Sequence, residues 1–139
     1  MSERDPLSAR VIHGAIEVHR SLGPGLLEVA YRKCLTHELR LAGLQVESEV
    51  ALPLSYRGEY VECGFRVDLI VDRKLILEVK AVRDLHPIHS AQLLTYLRLS
   101  GIRVGLLLNF HAPTLISGVR RIVSDEPTSK SRVSPSRPP

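Results

Sequence analysis

Two short runs of alternating apolar and charged residues, joined by a polar step, restrict the fold of this chain more than any other stretch. From residue 66 to residue 80, most apolar side chains fall on odd positions while Asp68, Glu78 and Lys80 fall on even ones, the pattern of half-buried strands. The polar step at 72–74 predicts a tight turn that folds the runs into an antiparallel hairpin. If Arg73 stands at the centre of that turn, Asp68 faces Glu78 across the two strands, and Lys80 projects from the same face of the sheet.

The facing carboxylates need a compensating partner, because like charges opposite one another destabilise a sheet. A hard divalent cation would supply it, since Mg²⁺ is held by one or two carboxylates with water and substrate phosphate oxygens completing its shell. Lys80 beside them would orient or deprotonate an attacking water. The alternative interpretation is a solvated sheet face on which Lys74 and Lys80 offset the carboxylates in loose salt bridges.

The rest of the chain alternates helical and strand patterns around this hairpin. The predicted elements are helices at 7–21, 26–42 and 88–100, strands at 44–54 and 103–110, and an edge strand at 115–123. The helix at 88–100 follows one strand and precedes another, which predicts a parallel, right-handed crossover connection. The sequence therefore predicts an α/β (α+β) fold in which one mixed sheet, containing an antiparallel meander, is flanked by helices.

The predicted ordered domain covers residues 7–123. Residues 1–6 are polar and the Ser/Pro/Arg-rich stretch 124–139 has almost no apolar residues, so both are predicted to be disordered. A chain of 139 residues suits one hydrophobic core. No apolar run approaches the roughly 20 residues of a membrane span, no signal-peptide pattern is present, and Cys34 and Cys63 have no CxxC spacing. These features predict a cytoplasmic protein without a membrane partner.

The charge balance mildly favours a polyanionic partner. The formal net charge is +4 at pH 7, whereas aromatic residues make up 4% of the chain and tryptophan is absent. Base stacking is therefore not predicted as the main means of binding, and any nucleic acid would be held mostly through its backbone.

Two pairs of polar residues share helix faces. Glu28 and Tyr31 are three residues apart in the second predicted helix, and Gln92 and Tyr96 are four residues apart in the third. An acid near a helix N-terminus is favoured by the helix dipole without any catalytic role, so this interpretation of Glu28 stays open from the pattern alone.

The hairpin residues resemble the core motif of the PD-(D/E)XK nuclease superfamily. Asp68, followed on the adjacent strand by Glu78, Val79 and Lys80, matches the Asp…(Asp/Glu)-x-Lys pattern. Val67 stands where that superfamily has the proline of its name, a position that is not a ligand.

Two further motifs strengthen the resemblance, which covers about residues 7–123. Gln92 and Tyr96 match the Gln-x-x-x-Tyr element of the RecB-like branch, and Gly25, Glu28 and Tyr31 spell the signature of the small prokaryotic GxxExxY proteins. Each motif is frequent by chance, whereas three in the right order and on the expected elements are far more specific.

The resemblance implies a restriction-endonuclease-like core and a set of roles. It implies that Asp68 and Glu78 bind Mg²⁺ or Mn²⁺, with Glu28 completing the metal shell from the helix. Lys80 would serve the nucleophilic water. The remaining implied residues, which would hold the scissile phosphate region or the surroundings of Lys80, are Gln92 and Tyr96.

Two hypotheses of function follow. The first is a Mg²⁺-dependent nuclease, with DNA as its partner, that hydrolyses phosphodiester bonds. The second is a catalytically silent nuclease fold that works as a binding or regulatory module. The sequence leaves open a homodimer or larger complex, and intact Asp68, Glu78 and Lys80 favour the first hypothesis.

Overall fold

The fold consists of a mixed five-stranded sheet, a separate two-stranded sheet and three helices. The structure is a computed structural model that describes residues 5–62 and 64–125. Residues 1–4, Cys63 and the part of the predicted tail beyond residue 125 lie outside the described residues. The elements are α1 (Pro6–Leu22), α2 (Glu28–Leu41), β1 (Val46–Ala51), β2 (Leu54–Tyr56), β3 (Glu59–Val61), β4 (Arg66–Val71), β5 (Leu75–Lys80), α3 (Pro87–Ser100), β6 (Val104–Asn109), a 3₁₀ turn (Ile116–Gly118) and β7 (Val119–Val123).

The order of the main sheet, β1-β4-β5-β6-β7, confirms the predicted topology. β1, β4 and β5 form the antiparallel meander, with Leu69 of β4 opposite Leu77 of β5. α3 then carries the chain across to β6, which pairs with β5 in parallel, and β7 closes the sheet as an antiparallel edge strand. The fold is a mixed α/β architecture consistent with the restriction-endonuclease class.

Helices cover both faces of this sheet. α1 and α2 pack on one face, against a cluster that includes Leu69 and Leu77. α3 packs on the other face, against a cluster that includes Ile70, Ile76 and Leu107. Because side chains alternate along a strand, Glu78 and Lys80 belong to the same face as Ile76, the face of α3.

The expectation that β5 is half-buried was wrong. Every residue from Leu75 to Val79 is buried, and Glu78 retains only 5% of its surface exposed. The reason is that helices cover both faces of the sheet at β5, so this strand has no solvated side. The alternative of a solvated face with loose salt bridges therefore does not hold for Glu78.

The predicted boundaries differ at both ends of the domain. α1 begins at Pro6, and the carboxylate of Asp5, its N-cap, accepts a hydrogen bond from the Ser8 amide at 2.7 Å. Pro6 therefore belongs to the helix and Asp5 caps it, whereas both were predicted to be disordered. At the other end, Ser124 is buried and its amide donates to the Arg103 carbonyl at 2.8 Å. Ser124, which directly follows β7, is therefore held in the fold, although it was predicted to begin the disordered tail.

The strand expected at 44–54 is shorter than predicted. β1 ends at Ala51, and the chain then forms the small hairpin of β2 and β3, which is absent from the predicted elements. Arg57 and Gly58 both adopt positive φ at its tip, the conformation that a two-residue hairpin turn requires. Within the described residues, no helix is long and apolar enough to cross a membrane.

Candidate active site

The carboxylates of Asp68 and Glu78 each accept a backbone hydrogen bond across the gap between β4 and β5. The Asp68 amide donates to the Glu78 carboxylate at 2.9 Å, and the Val79 amide donates to the Asp68 carboxylate at 2.8 Å. The backbone pairing of this ladder ends one step earlier, at Leu69 and Leu77. The two carboxylates thus take the place of backbone acceptors and hold the strands together at this end of the sheet.

The neighbouring strand is also irregular at Asp68. Ser48 pairs with Leu69 and Val50 with Val67, but the intervening Glu49 has φ of +53°, in the left-handed region that non-glycine residues rarely adopt. Strained backbone conformations of this kind concentrate at functional sites, where contacts with the surrounding structure hold them in place. β4 is therefore irregular on both of its edges at Asp68.

Burial disfavours the charged form of both carboxyl groups in the acidic pair. Burial, followed by repulsion from Asp68, raises the pKa of Glu78 to about 8. Burial also raises the pKa of Asp68, although its hydrogen bond from Val79 and the positive charges of Lys80 and Arg32 oppose the increase. Without a cation, the pair therefore tends to retain a proton near neutral pH.

The backbone on either side of the Lys80 carbonyl is firmly held. The Phe110 amide donates to the Lys80 carbonyl at 2.8 Å. Asn109, the β6 residue paired with Lys80, accepts from the Val82 amide at 3.1 Å and donates to the Val82 carbonyl at 2.9 Å through its buried side chain. The sequence analysis did not single out Asn109. The one feature that could have indicated it is its position as a polar residue directly after the apolar run 104–108.

Tyr31 of the Gly-x-x-Glu-x-x-Tyr motif fastens the α1–α2 connector to Phe110, the residue that follows β6. The Tyr31 hydroxyl donates to the Gly23 carbonyl and accepts from the Leu26 amide at 3.1 Å. Its buried ring stacks on Phe110, with centroids 4.6 Å apart and planes inclined by 12°. Gly25 has φ of +113°, which an L-residue would adopt only with strain.

Glu28 is the first residue of α2, and its carboxylate accepts a hydrogen bond from the Ala81 amide at 3.2 Å. It therefore lies beside the residue that follows Lys80. Among residues 5–62 and 64–125, however, no three His, Cys, Asp or Glu side chains form a metal-ligand cluster. The structure brings Asp68 and Glu78 together and leaves Glu28 at the rim of the site.

The two α3 residues of the predicted site occupy different environments. Tyr96 is buried, and its burial, together with the charges of Glu78 and Asp68, raises its pKa. Gln92, one turn earlier, is exposed. Tyr96 therefore lies beside the carboxylates, whereas Gln92 lies at the solvent edge of the helix.

Arg32 is a second residue that sequence analysis missed. It follows Tyr31 on α2, and its guanidinium donates to the carboxylate of Glu49, the irregular residue next to Asp68. Its positive charge lowers the pKa of Asp68, against the larger effect of burial. No pattern in the sequence distinguishes it from the other arginines.

The donor set of the site fits a hard divalent cation. Two carboxylates converge, and each of their hydrogen bonds across the strands uses one oxygen, Oδ2 of Asp68 or Oε2 of Glu78, so the other oxygen can serve a ligand. Carboxylate oxygens are the ligands that Mg²⁺ and Mn²⁺ prefer, with water and phosphate oxygens completing the shell.

A mixed α/β fold that brings a buried glutamate, a partly buried aspartate and a lysine together on adjacent strands has the architecture of a nuclease-type protein. A family model described as the PD-(D/E)XK nuclease superfamily matches residues 5–122, and the chain belongs to this superfamily. Members generally use divalent metal ions and act on nucleic acids. No curated protein and no solved structure matches the chain significantly.

Proposed function

We propose that this protein is a metal-dependent nuclease that hydrolyses phosphodiester bonds of DNA. The observation that carries the proposal is the convergence of the buried Glu78 and the partly buried Asp68, each accepting a backbone hydrogen bond across β4 and β5, with Lys80 at the end of the strand that carries Glu78. A fold that only binds has no physical need for two carboxylates whose burial and repulsion cost stability. The alternative of a catalytically silent module has no such observation in its favour.

The proposed metal ligands are Asp68 and Glu78, joined by Glu28 from the N-terminus of α2. The ion would be Mg²⁺ or Mn²⁺. When bound, it supplies Lewis-acid stabilisation of the charge that develops on the phosphate oxygens.

The other side chains act on the water and the phosphate. Lys80 orients the attacking water, and the hydrogen bonds around its backbone fix the position from which it does so. Tyr96 is a neutral phenol near pH 7, all the more so because burial raises its pKa, and it donates its O–H to a phosphate oxygen. Gln92, on the exposed turn of α3, contacts the adjoining backbone of the substrate, and Arg32 adds positive charge beside Asp68.

Assignment to the GxxExxY group and to the RecB-like branch is part of this proposal. It is supported by Gly25, Glu28 and Tyr31 in the first motif and by Gln92 and Tyr96 in the second. The first motif has a physical role here, because it ties the connector before α2 to the strand that carries Glu78 and Lys80.

The test is hydrolysis of plasmid and oligonucleotide DNA by purified protein with Mg²⁺, with Mn²⁺ or with a chelator. We expect cleavage by the wild type only with metal, and at least a roughly 100-fold loss in Asp68→Asn and in Glu78→Gln, the scale of loss when a group that stabilises transition-state charge is removed. Glu47→Gln is the matched control, because Glu47 is an exposed carboxylate on the same sheet. Undiminished cleavage by Glu78→Gln, with the melting temperature unchanged, would exclude this site as the catalytic one.

A further inference from the structure

The β2–β3 hairpin leaves the main sheet where β1 ends and β4 begins, which is the end of β4 nearest to Asp68. β1 ends at Ala51, which pairs with Arg66, and Asp68 follows two residues along β4. The Leu52 amide donates to the Phe65 carbonyl at 3.0 Å and closes the base of the hairpin. Strands of three residues extend about 10 Å. A single nucleic-acid strand in extended conformation would therefore need only a few nucleotides to reach from the hairpin tip to the carboxylates.

The exposed aromatic rings of the protein are both on this hairpin. The chain has four tyrosines and two phenylalanines, all of them described by the structure. Tyr31, Tyr96 and Phe110 are buried, and Phe65 is half-buried against Tyr96, with centroids 6.1 Å apart. The remaining aromatic residues, which keep 64% and 36% of their surfaces exposed, are Tyr56 and Tyr60.

The two rings differ in face and in surroundings. Tyr56 pairs with Glu59 while Tyr60 pairs with Ser55, so neighbouring positions place the rings on opposite faces of the hairpin. The Arg57 guanidinium lies over the Tyr56 ring, 5.8 Å from its centroid. An aromatic ring with a guanidinium on one side presents its free side to another planar group.

The charges of the hairpin point to bases rather than to phosphates. Arg57 and Arg66 are balanced by Glu59 and Glu62, so the segment has no surplus of positive charge with which to hold a phosphate backbone. The faces of unpaired bases, in contrast, are neutral and stack on exposed aromatic rings.

We propose that Tyr56, with Arg57 over its ring, stacks on an unpaired base of the nucleic-acid strand that enters the acidic site. This inference rests on the proposed nuclease function and narrows its substrate to DNA with a single-stranded portion next to the scissile bond. In a continuous duplex the bases are stacked on each other, and their faces are not available to the ring.

The experiment compares two fluorescently labelled 12-mer oligodeoxynucleotides, one of thymidines throughout and one with abasic sites at its centre. Binding is measured by anisotropy in a Glu78→Gln background, so that cleavage does not consume the probe. We expect the abasic probe to bind about 5-fold or more weakly, and Tyr56→Ala to remove this difference, because stacking on one base is worth at least that factor. Tyr56→Phe should preserve the difference.

Tyr60→Ala is the matched control, since it removes the same ring from the opposite face of the same hairpin. We expect Tyr60→Ala to keep the preference for the base-bearing probe. Equal affinity of the Glu78→Gln protein for both probes would overturn the proposal. A preference for the base-bearing probe that survives Tyr56→Ala, or that Tyr60→Ala removes to the same extent, would also overturn it. A Tyr56-dependent dimer in light scattering, without base preference, would assign the ring to a second copy of the chain and also overturn it. Metal-dependent cleavage by the wild type is scored separately, so failure of the nuclease function is distinguished from failure of this inference.

Discussion

Glu78 combines deep burial with a carboxylate neighbour, and its protonation should couple to the stability of the protein. Its pKa is about 8 in the folded protein, against the ordinary value of 4.5. Between these values the folded state holds a proton that the unfolded state has released, so the free energy of unfolding falls as pH rises. Below about pH 4.5 and above about pH 8, this group contributes no further dependence.

The first prediction is that the metal-free protein loses stability by up to a few kcal/mol between about pH 5 and pH 8, since one pKa unit corresponds to about 1.4 kcal/mol. Urea unfolding at several pH values measures this loss. Glu78→Gln should flatten most of the slope, because the amide does not titrate. A wild-type slope that is absent, or that persists fully in Glu78→Gln, would contradict the assignment.

Asn109 carries the second prediction at the scale of single residues. Its side chain satisfies both backbone groups of Val82 and also accepts from the His111 amide at 3.2 Å. Asn109→Ala should lower the free energy of unfolding by about 2–4 kcal/mol, because it leaves more than one partly buried backbone group without a partner. It should also reduce cleavage, because the segment after Lys80 loses its anchor.

Asn109→Asp separates the effect of the hydrogen bonds that the side chain accepts from the effect of the one that it donates. It keeps the acceptor for the Val82 and His111 amides but removes the donor to the Val82 carbonyl. By urea unfolding, we expect Asn109→Asp to lose less stability than Asn109→Ala and more than the wild type. We also expect faster hydrogen exchange at the Val82 amide in Asn109→Ala. Unchanged exchange at that amide would show that Asn109 does not hold this segment.

At the scale of elements, the α1–α2 connector depends on one hydroxyl. Tyr31→Phe keeps the ring that stacks on Phe110 and removes the hydroxyl bonds to Gly23 and Leu26. We predict faster hydrogen exchange at the Leu26 amide and a stability loss of about 1 kcal/mol, the usual value of such bonds. Tyr60→Phe is the control, and equal exchange in both variants would contradict the role of the Tyr31 hydroxyl.

The sequence predicted most of these elements because their signals are local. α3 was predicted to within one residue, since Gly101 ends it in a left-handed conformation, and the apolar run of β6 was equally clear. The pairing of Asp68 with Glu78 followed from the turn position and the two-residue period. Local pattern was therefore sufficient to predict the acidic pair.

Other parts of the site had no local signal. The burial of β5 on both faces depends on where the helices pack, which a strand of alternating pattern does not reveal. The positive φ of Glu49 and the hydrogen bonds of Asn109 arise from contacts between segments distant in sequence. The β2–β3 hairpin has strands of only three residues, too short for a periodic pattern.

For the whole molecule, metal binding, protonation and folding should be linked. A cation that binds Asp68 and Glu78 must displace the proton that the metal-free pair retains near neutral pH. An ion that binds the folded state alone would stabilise it by about 2.7 kcal/mol when its concentration is roughly 100 times the dissociation constant. Because proton displacement opposes binding at lower pH, this stabilisation should increase from about pH 6 to pH 8.

The last prediction is therefore a melting-temperature increase of several degrees with Mg²⁺ or Mn²⁺ at about pH 8, and a smaller increase at about pH 6. Calorimetry in two buffers of different ionisation enthalpy should show release of protons on binding. Glu78→Gln should abolish both effects, whereas Glu47→Gln should preserve them. A metal effect that is equal at the two pH values, or that survives Glu78→Gln, would mean that the ion binds elsewhere and that the acidic pair has some other role.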